Sequence, residues 1–125
     1  MAGYASEDLL INKTQIAVGA SETDTPITNP FRISAEDSKA LMVNVVCTSV
    51  TVTNAITANL QDSVDGGVTW ADVKTVAIAG NGTVEIEINA HDGSDTLVHP
   101  LARITVDSGV SDAVDVDAVW VTRRR

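Results

Sequence analysis

Residues 83–89 read Thr-Val-Glu-Ile-Glu-Ile-Asn, a strict alternation of apolar and polar side chains. Successive side chains of a β-strand point to opposite faces, so Val84, Ile86 and Ile88 share one face and the glutamates share the other. A segment with this pattern buries one face and leaves the other in water. It therefore predicts a half-buried strand, and its period of two recurs along the chain.

Six further segments carry strand signals, at residues 15–20, 40–52, 55–61, 68–79, 98–107 and 113–122. Turn-forming sequences separate the strands at Asp65-Gly66-Gly67, Gly80-Asn81-Gly82, His91-Asp92-Gly93 and Ser108-Gly109. Valine, isoleucine and threonine, which fit a pleated sheet and lose rotamer freedom in helices, make up 41 of 125 residues. The sequence therefore predicts an all-β fold, an antiparallel β-sandwich or jelly roll of about six to eight strands.

Segment 40–52 differs from the others because both of its faces carry apolar side chains. Leu41, Val43 and Val45 share one face, whereas Val46 adds a branched apolar side chain to the other. We therefore expect this strand to be covered on both sides.

Both tryptophans fall within predicted strands, on faces rich in apolar residues. In the last segment, alternation places Trp120 inward and Asp115 and Asp117 outward. Trp70 opens the strand that follows the first Gly-Gly turn. We therefore expect both indoles to be buried.

Residues 14–122 hold all the strand signals and form one domain, which at this length buries roughly two-thirds of its unfolded surface. Residues 1–13 precede them and are polar except for Tyr4 and Leu9-Leu10-Ile11. We expect them to form an extended N-terminal arm. Its apolar residues are too few for a core of their own, so they are predicted to contact a neighbouring subunit.

Charge is distributed unevenly along the chain. The formal net charge is −9 at pH 7, yet the last three residues are Arg123, Arg124 and Arg125. An acidic body repels nucleic acid, and three arginines neutralise too few phosphates to overcome that repulsion. Arginine pairs well with carboxylates. We expect this basic tail, residues 123–125, to contact an acidic protein within an assembly; a solvated tail is the alternative.

Residues 63–70, Ser-Val-Asp-Gly-Gly-Val-Thr-Trp, resemble the Asp-box, a Ser-x-Asp-x-Gly-x-x-Trp hairpin that recurs in sialidase propellers. The residues that define it here are Ser63, Asp65, Gly66, Gly67 and Trp70. In such a turn the aspartate accepts backbone hydrogen bonds, the glycines permit positive φ and the tryptophan packs under the hairpin. These are folding roles, so we expect a structural turn.

A sialidase has several blades and a cluster of arginines that bind a carboxylate. The chain has no repeat of 20–50 residues, and outside the basic tail it has only Arg32 and Arg103. No Gly-x-Ser-x-Gly sequence supports a hydrolase triad either. We therefore expect a protein that is not an enzyme.

Cofactor and metal sites have little support in the sequence. Cys47, the single cysteine, lies among valines and is expected to be a small buried apolar residue. His91, Asp95 and His99 could together hold a metal ion, but a polar loop explains the same residues. We expect no cofactor.

The wider stretch 60–73 resembles a hairpin of small β-sandwich virion proteins of tailed bacteriophages. The resemblance is close over this stretch and extends to the rest of the chain only in its acidic, valine- and threonine-rich composition. It implies a head decoration (cement) protein, a minor capsid protein or a small tail component. The partner would be the major capsid protein or another virion protein.

The predicted function is therefore that of a non-enzymatic virion structural protein that binds and stabilises the capsid lattice. Exposed sheet edges and a core built mainly from valine favour closure by neighbours, so we expect a homo-oligomer, with a homotrimer favoured. The first residues lack a signal peptide pattern and no long apolar run is present, so synthesis in the host cytoplasm without a membrane span is expected. The alternative is a small phage tail or host-adhesion module that binds carbohydrate.

Overall fold

The computed structural model describes residues 5–11, 16–33, 40–89 and 101–124. Ten β-strands lie in these ranges. They are β1 (Ala5–Ile11), β2 (Ile16–Val18), β3 (Thr25–Pro26), β4 (Phe31–Arg32), β5 (Ala40–Thr51), β6 (Ile56–Ser63), β7 (Ala71–Ala77), β8 (Gly82–Asn89), β9 (Leu101–Ser108) and β10 (Ala113–Arg124). Across these ranges we find no helix of the length and apolarity that a membrane crossing requires.

The strands form two antiparallel sheets. Sheet A has the order β1-β10-β5-β8, and β2 also pairs with β10. Sheet B has the order β3-β9-β6-β7, and β4 also pairs with β9. When β3 and β4 are taken as one interrupted strand, the orders β2-β10-β5-β8 and β3/β4-β9-β6-β7 are those of a jelly roll. The predicted all-β sandwich is confirmed; the additional strands are short pieces at one edge of each sheet.

The core lies between the sheets and is aliphatic. Ile86 and Ile88 of β8 are buried while Glu85 and Glu87 are exposed, as the alternation in 83–89 predicts. The largest fully buried side chains are Ile27, Leu41, Ile56, Leu60, Ile78, Ile86, Ile88 and Ile104. Burial of one such side chain contributes about 1.5–3 kcal/mol relative to exposure.

The alternation of inward and outward side chains in β10 reverses halfway along the strand. Its register with β5 shifts between Val116 and Ala118, which marks a β-bulge. Beyond the bulge Val119 and Val121 are fully buried, and Trp120 lies half-buried on the outer face. The prediction that Trp120 is buried in the core is wrong, because one extra residue reverses the parity of the strand that follows it.

The N-terminal segment is part of sheet A. β1 pairs antiparallel with the last part of β10, from Ala5 opposite Arg124 to Ile11 opposite Val119. Residues 5–11 therefore form an edge strand, so this part of the predicted N-terminal arm belongs to the sandwich; the rest of the arm, residues 1–4 and 12–13, lies outside the described residues. The physical reason is that β10 has backbone groups free on that side, and an extended neighbour satisfies them without any alternating pattern of its own.

Candidate functional site

The turn between β6 and β7 is organised by Asp65. Its Oδ1 accepts the backbone N–H groups of Val68 at 3.2 Å and Thr69 at 2.9 Å, and its Oδ2 accepts the Thr69 hydroxyl at 2.6 Å. The hydroxyl and the backbone N–H of Thr69, then the Ser63 hydroxyl, lower the pKa of Asp65 from 3.8 to about 2. The charged carboxylate therefore stabilises the local backbone.

Ser63 and two glycines complete the turn. The Ser63 hydroxyl donates to Asp65 Oδ1 at 2.8 Å and accepts the Gly67 N–H at 2.8 Å. Gly66 and Gly67 have φ values of 76° and 96°, which side chains other than glycine rarely adopt. The five residues of the Asp-box pattern thus lie in one turn, held by hydrogen bonds within the chain.

The same turn presents apolar side chains to solvent. Val64 is 73% exposed and Val68 is 79% exposed. Trp70 is half-buried, so the expectation that it is buried is also wrong. Its ring is covered by Arg103, whose Cζ lies 4.5 Å from the ring centroid, a cation–π distance.

A polar row on the outer face of sheet B runs from this stack across three strands. Gln61 Oε1 accepts Arg103 Nε–H at 2.8 Å, and Gln61 Nε2 donates to Asp72 at 2.8 Å and to Asp24 at 3.1 Å. Gln61 pairs in register with both Arg103 and Asp72, so the sheet itself brings these side chains together. Although Gln61 is only 3% exposed, both ends of its amide have partners.

A second row lies two residues along the same face. Asn59 donates to the Thr105 hydroxyl at 3.1 Å and accepts the Thr75 hydroxyl at 3.1 Å. The alternation in 55–61 correctly separates these polar residues from Ile56, Ala58 and Leu60, yet it does not predict that Asn59 and Gln61 are buried. Their burial depends on cross-strand partners that only the register supplies.

Carboxyl groups gather at one end of the first row. Asp24 accepts from Gln61, and its backbone N–H donates to Asp107 Oδ1 at 2.6 Å. Burial, then the charges of Asp107 and Asp72, raise the pKa of Asp24, and Arg103 opposes them. This group contains no arrangement that would hold a metal, and neither does any other part of the described chain. The metal hypothesis for His91, Asp95 and His99 falls outside the described residues.

Asp112 is a structural residue that the sequence pattern does not reveal. It is 2% exposed and accepts four backbone N–H groups. These donors belong to Thr53, Asn54, Ala55 and Gly109, at 2.5, 2.9, 3.0 and 2.8 Å. The bonds lower the pKa of Asp112, with the one from Asn54 contributing most. Asp112 thereby joins the β5–β6 loop to the β9–β10 turn.

Cys47 is buried in the core, at 1% exposure, as predicted. Burial, and then the nearby charge of Asp117, raise the pKa of its thiol to about 11. A protonated, covered thiol is a poor nucleophile.

The outer face of sheet A carries an apolar patch, which we call the Trp120 face and define as Met42, Val46, Ala118 and Trp120. All four are half-buried. They lie together because of the register between β10 and β5. Ala118 pairs with Val46, and Trp120 pairs with Asn44, which lies between Met42 and Val46 on the same face of β5. The prediction that β5 is covered on both sides is therefore met only in part within this chain.

The two segments predicted to mediate assembly lie side by side. Arg123 pairs in register with Ser6, and Arg124 pairs with Ala5, along the β1–β10 edge. On β1, Leu9 takes the register position opposite Trp120, followed by Leu10 and Ile11. Tyr4 and Arg125 lie outside the described residues. A role for these residues in contacts with other proteins stays a prediction.

Similarity to known proteins is limited to the fold. No family model and no curated protein matches the chain. A subunit of the disulfide-linked pili of Bacillus endospore appendages is similar, with a TM-score of 0.50 and 15% identity over 97% of this chain and 88% of that chain. A capsid chain from the infectious bursal disease virus T13 particle gives a TM-score of 0.49 and 11% identity, over 98% of this chain and 31% of that one. PirA gives 0.43 and 11%, over 100% and 94%. At these identities the similarity concerns architecture.

Proposed function

We propose that this protein is a non-enzymatic structural subunit of an assembled protein surface, and more specifically a virion protein that decorates and stabilises a capsid. The observation that carries the proposal is the placement of apolar side chains on the surface of a well-packed sandwich. Val64 and Val68 are exposed on the turn between β6 and β7, and Trp120 lies half-buried on the outer face of sheet A. Exposed apolar patches of this kind mark surfaces that other proteins cover.

The polar clusters are consistent with this proposal because they serve the fold. Asp65 and Asp112 hold turns, and Gln61 and Asn59 link strands of sheet B. Each carboxylate or amide is engaged by several groups of the same chain. Such groups stabilise a scaffold and are poorly suited to bind or transform a substrate.

The structural similarity to a pilus subunit supports the broader part of the proposal. That protein assembles into disulfide-linked pili. In the present chain Cys47 is the single cysteine and is buried, so its own assembly would use non-covalent contacts. The acidic surface would keep assembled particles soluble and mutually repelling.

The finer part of the proposal names the partner and the site of action. The partner is the major capsid protein or another virion protein, and the protein acts in the virion after synthesis in the host cytoplasm. A homotrimer at a symmetry point of the lattice fits a chain with two open-edged sheets.

The test is to mix the purified protein with empty tailed-phage capsids that lack a decoration protein and to pellet the capsids by centrifugation. Co-sedimentation that saturates at a fixed number of copies per capsid, with a rise in the temperature at which capsids disrupt, is the expected result. Serum albumin of similar acidity is the control for trapping. A protein that stays in the supernatant at every concentration contradicts the capsid proposal.

A second candidate function is favoured by one observation. Trp70 is half-buried against Arg103, which donates to Gln61, and Gln61 in turn donates to Asp72; such a mixture of aromatic and polar groups occurs in carbohydrate-binding sites. Titration of the protein with a panel of neutral and acidic oligosaccharides, followed by Trp70 fluorescence, tests it. A saturable change that is lost in Trp70→Ala would favour an adhesion module over a capsid protein.

A further inference from the structure

Strands β7 and β8 form the two sheet edges on one side of the sandwich. β8 ends the strand order of sheet A, and β7 ends the order of sheet B. An edge strand presents backbone N–H and C=O groups that have no partner in their own sheet, so a strand of another molecule can pair with them. The β8 edge, with eight residues, is therefore a place where copies of the chain can join unless something obstructs it.

The backbone of β8 directs alternate residues to its free edge. The N–H and C=O groups of one strand residue point to the same side, and those of the next residue point to the opposite side. The Glu87 carbonyl accepts a hydrogen bond from Lys74 Nζ of β7 at 2.7 Å, so it points away from β5. Thr83 and Glu85 lie at two-residue steps from Glu87. The free edge of β8 therefore carries the backbone groups of these three residues.

Lys74 reaches this edge from the inner side of sheet B. Along β7 it shares its face with Val76, which packs against the core, and with Ile78, which is 1% exposed. Thr75 lies on the outer face, where its hydroxyl donates to Asn59. Lys74 is itself half-buried. Its aliphatic chain therefore extends from sheet B towards sheet A, and its ammonium group lies at the edge of β8.

One lysine therefore obstructs both edges. A strand added to β8 would have to displace the ammonium group from the Glu87 carbonyl. A strand added to β7 would enclose an inward-facing charge and remove it from water, which costs free energy unless the charge is paired. Natural sheets use inward-pointing charged residues and lysines at their edges to prevent such pairing. Strands β7 and β8 carry no basic residue other than Lys74.

The acidic side chains of β8 act in the same direction. Glu85 and Glu87 are exposed on its outer face. Centred antiparallel pairing of two β8 strands sets Glu85 of one copy opposite Glu85 or Glu87 of the other, and like charges in such positions are destabilising. Salt screens repulsion between exposed charges. At high salt the contact of Lys74 with the Glu87 carbonyl is therefore the main obstacle that remains.

We propose that Lys74 is a gatekeeper residue, which keeps the β7–β8 side of the sandwich closed to strand pairing with a second copy of the chain. Contacts between subunits are thereby directed to other surfaces of the sandwich. This role of Lys74 holds whether or not the protein binds a capsid.

The test replaces Lys74 and follows association of the full chain by sedimentation velocity, over a concentration series at low and high salt. Lys74→Met keeps a long apolar side chain and removes the charge and the donor. Its self-association should be roughly tenfold or more tighter than that of the native chain, and stronger at high salt, where the glutamates are screened. Lys74→Arg keeps a charged donor and is the matched control, which should behave as the native chain does. Circular dichroism checks that both variants are folded.

A proline in β8 identifies the edge that mediates the association. Because the Glu85 N–H points to the free edge, Glu85→Pro keeps the hydrogen bonds to β5 and removes a donor that an added strand needs. The double variant with Lys74→Met and Glu85→Pro should therefore return to the state of the native chain. Hydrogen exchange of the Glu87 amide should be slower in associated Lys74→Met than in the native chain.

Three results would overturn the proposal. The first is a Lys74→Met variant that associates no more than the native chain at either salt concentration. The second is a Lys74→Arg variant that associates as strongly as Lys74→Met. The third is association that persists after Glu85→Pro is added, since the contact would then lie on another surface.

Discussion

The Arg103 guanidinium carbon lies 4.5 Å from the centre of the Trp70 ring, while its Nε–H donates to Gln61 at 2.8 Å. Arg103 thus links the end of the Asp-box turn to the polar row of sheet B. The indole keeps one face covered although it is only half-buried. This contact replaces the burial in the core that the motif alone suggests for Trp70.

Arg103→Ala is expected to lower the free energy of unfolding by about 1–3 kcal/mol. The change removes a cation–π contact worth about 0.5–1 kcal/mol and leaves the buried Gln61 carbonyl without its donor. Urea unfolding measures the loss, and Arg32→Ala, an exposed arginine in β4, is the control. In a Trp120→Phe background, the same variant should also make Trp70 easier to quench with acrylamide. An unchanged midpoint together with unchanged quenching would show that the stack does not persist in solution.

Asp65→Asn is expected to lower the melting temperature by roughly 5 °C at pH 6, because the turn loses its charged acceptor. The pKa of Asp65 is about 2 in the folded protein against an ordinary value of 3.8. Its stabilising effect is therefore complete above about pH 4 and disappears as the pH falls through about 2. Melting curves of the native chain and the variant should converge near pH 2. Glu85→Gln is the control. A difference in melting temperature between the native chain and Asp65→Asn that stays constant with pH would contradict the stabilising role of the charged Asp65 carboxylate.

Asp112→Asn is expected to destabilise the protein as much as Asp112→Ala. Each carboxylate oxygen accepts two backbone N–H groups, so an amide NH₂ in either orientation faces donors. We expect a melting temperature lower by roughly 5 °C or more in both variants. Asp115→Asn removes the same charge from the outer face of β10 and should have little effect. An Asp112→Asn variant with native stability would show that the carboxylate is replaceable.

Gly109→Ala is expected to strain the same junction. A Cβ at this position would lie 2.7 Å from Asn54 Cβ and 2.9 Å from Asp112 Oδ2. The clash involves two loops that Asp112 holds together, so the backbone must shift, with a loss of about 1–3 kcal/mol. Gly80→Ala is the matched control because a Cβ there meets nothing within 4 Å. Equal unfolding midpoints for the two variants would contradict this account.

Much of the fold can be predicted from the sequence, because apolar and polar residues alternate with a strict period of two in β-strands that have one solvent-exposed face. Segments 83–89 and 113–122 correspond to β8 and β10 within two residues at each end. Strands β1 to β4 carry little or no periodic signal, since they lie at sheet edges and pair with a long neighbour. Their positions depend on which edges β9 and β10 leave free, which is a property of the assembled sheets.

The surface features were harder to predict because each depends on register. One extra residue at the β10 bulge moves Trp120 from the core to the outer face, and no local sequence pattern indicates the bulge. Gln61 is buried because Arg103 and Asp72 arrive beside it on other strands. Asp112 resembles any turn aspartate in the sequence, and its four donors come from two separate loops.

Deletion of residues 1–11 is expected to leave a folded sandwich that aggregates. The deletion removes β1, so β10 loses its partner from Val119 to Arg124 and exposes a strand edge. The backbone hydrogen bonds lost, at about 0.5–1.5 kcal/mol each, are offset by about 1–2 kcal/mol of conformational entropy per residue no longer ordered. The net change in stability is therefore small, whereas a free edge promotes association.

Light scattering and urea unfolding measure these two effects separately. A synthetic peptide of residues 1–14 should bind the truncated chain and suppress its aggregation, and a peptide of the same composition in scrambled order should not. Deletion of residues 1–4 alone retains β1 and serves as the control. If the chain without residues 1–11 fails to unfold cooperatively, β1 is required for the core itself. If that chain stays monodisperse at high concentration, the free edge of β10 does not cause aggregation, and β1 must serve another contact.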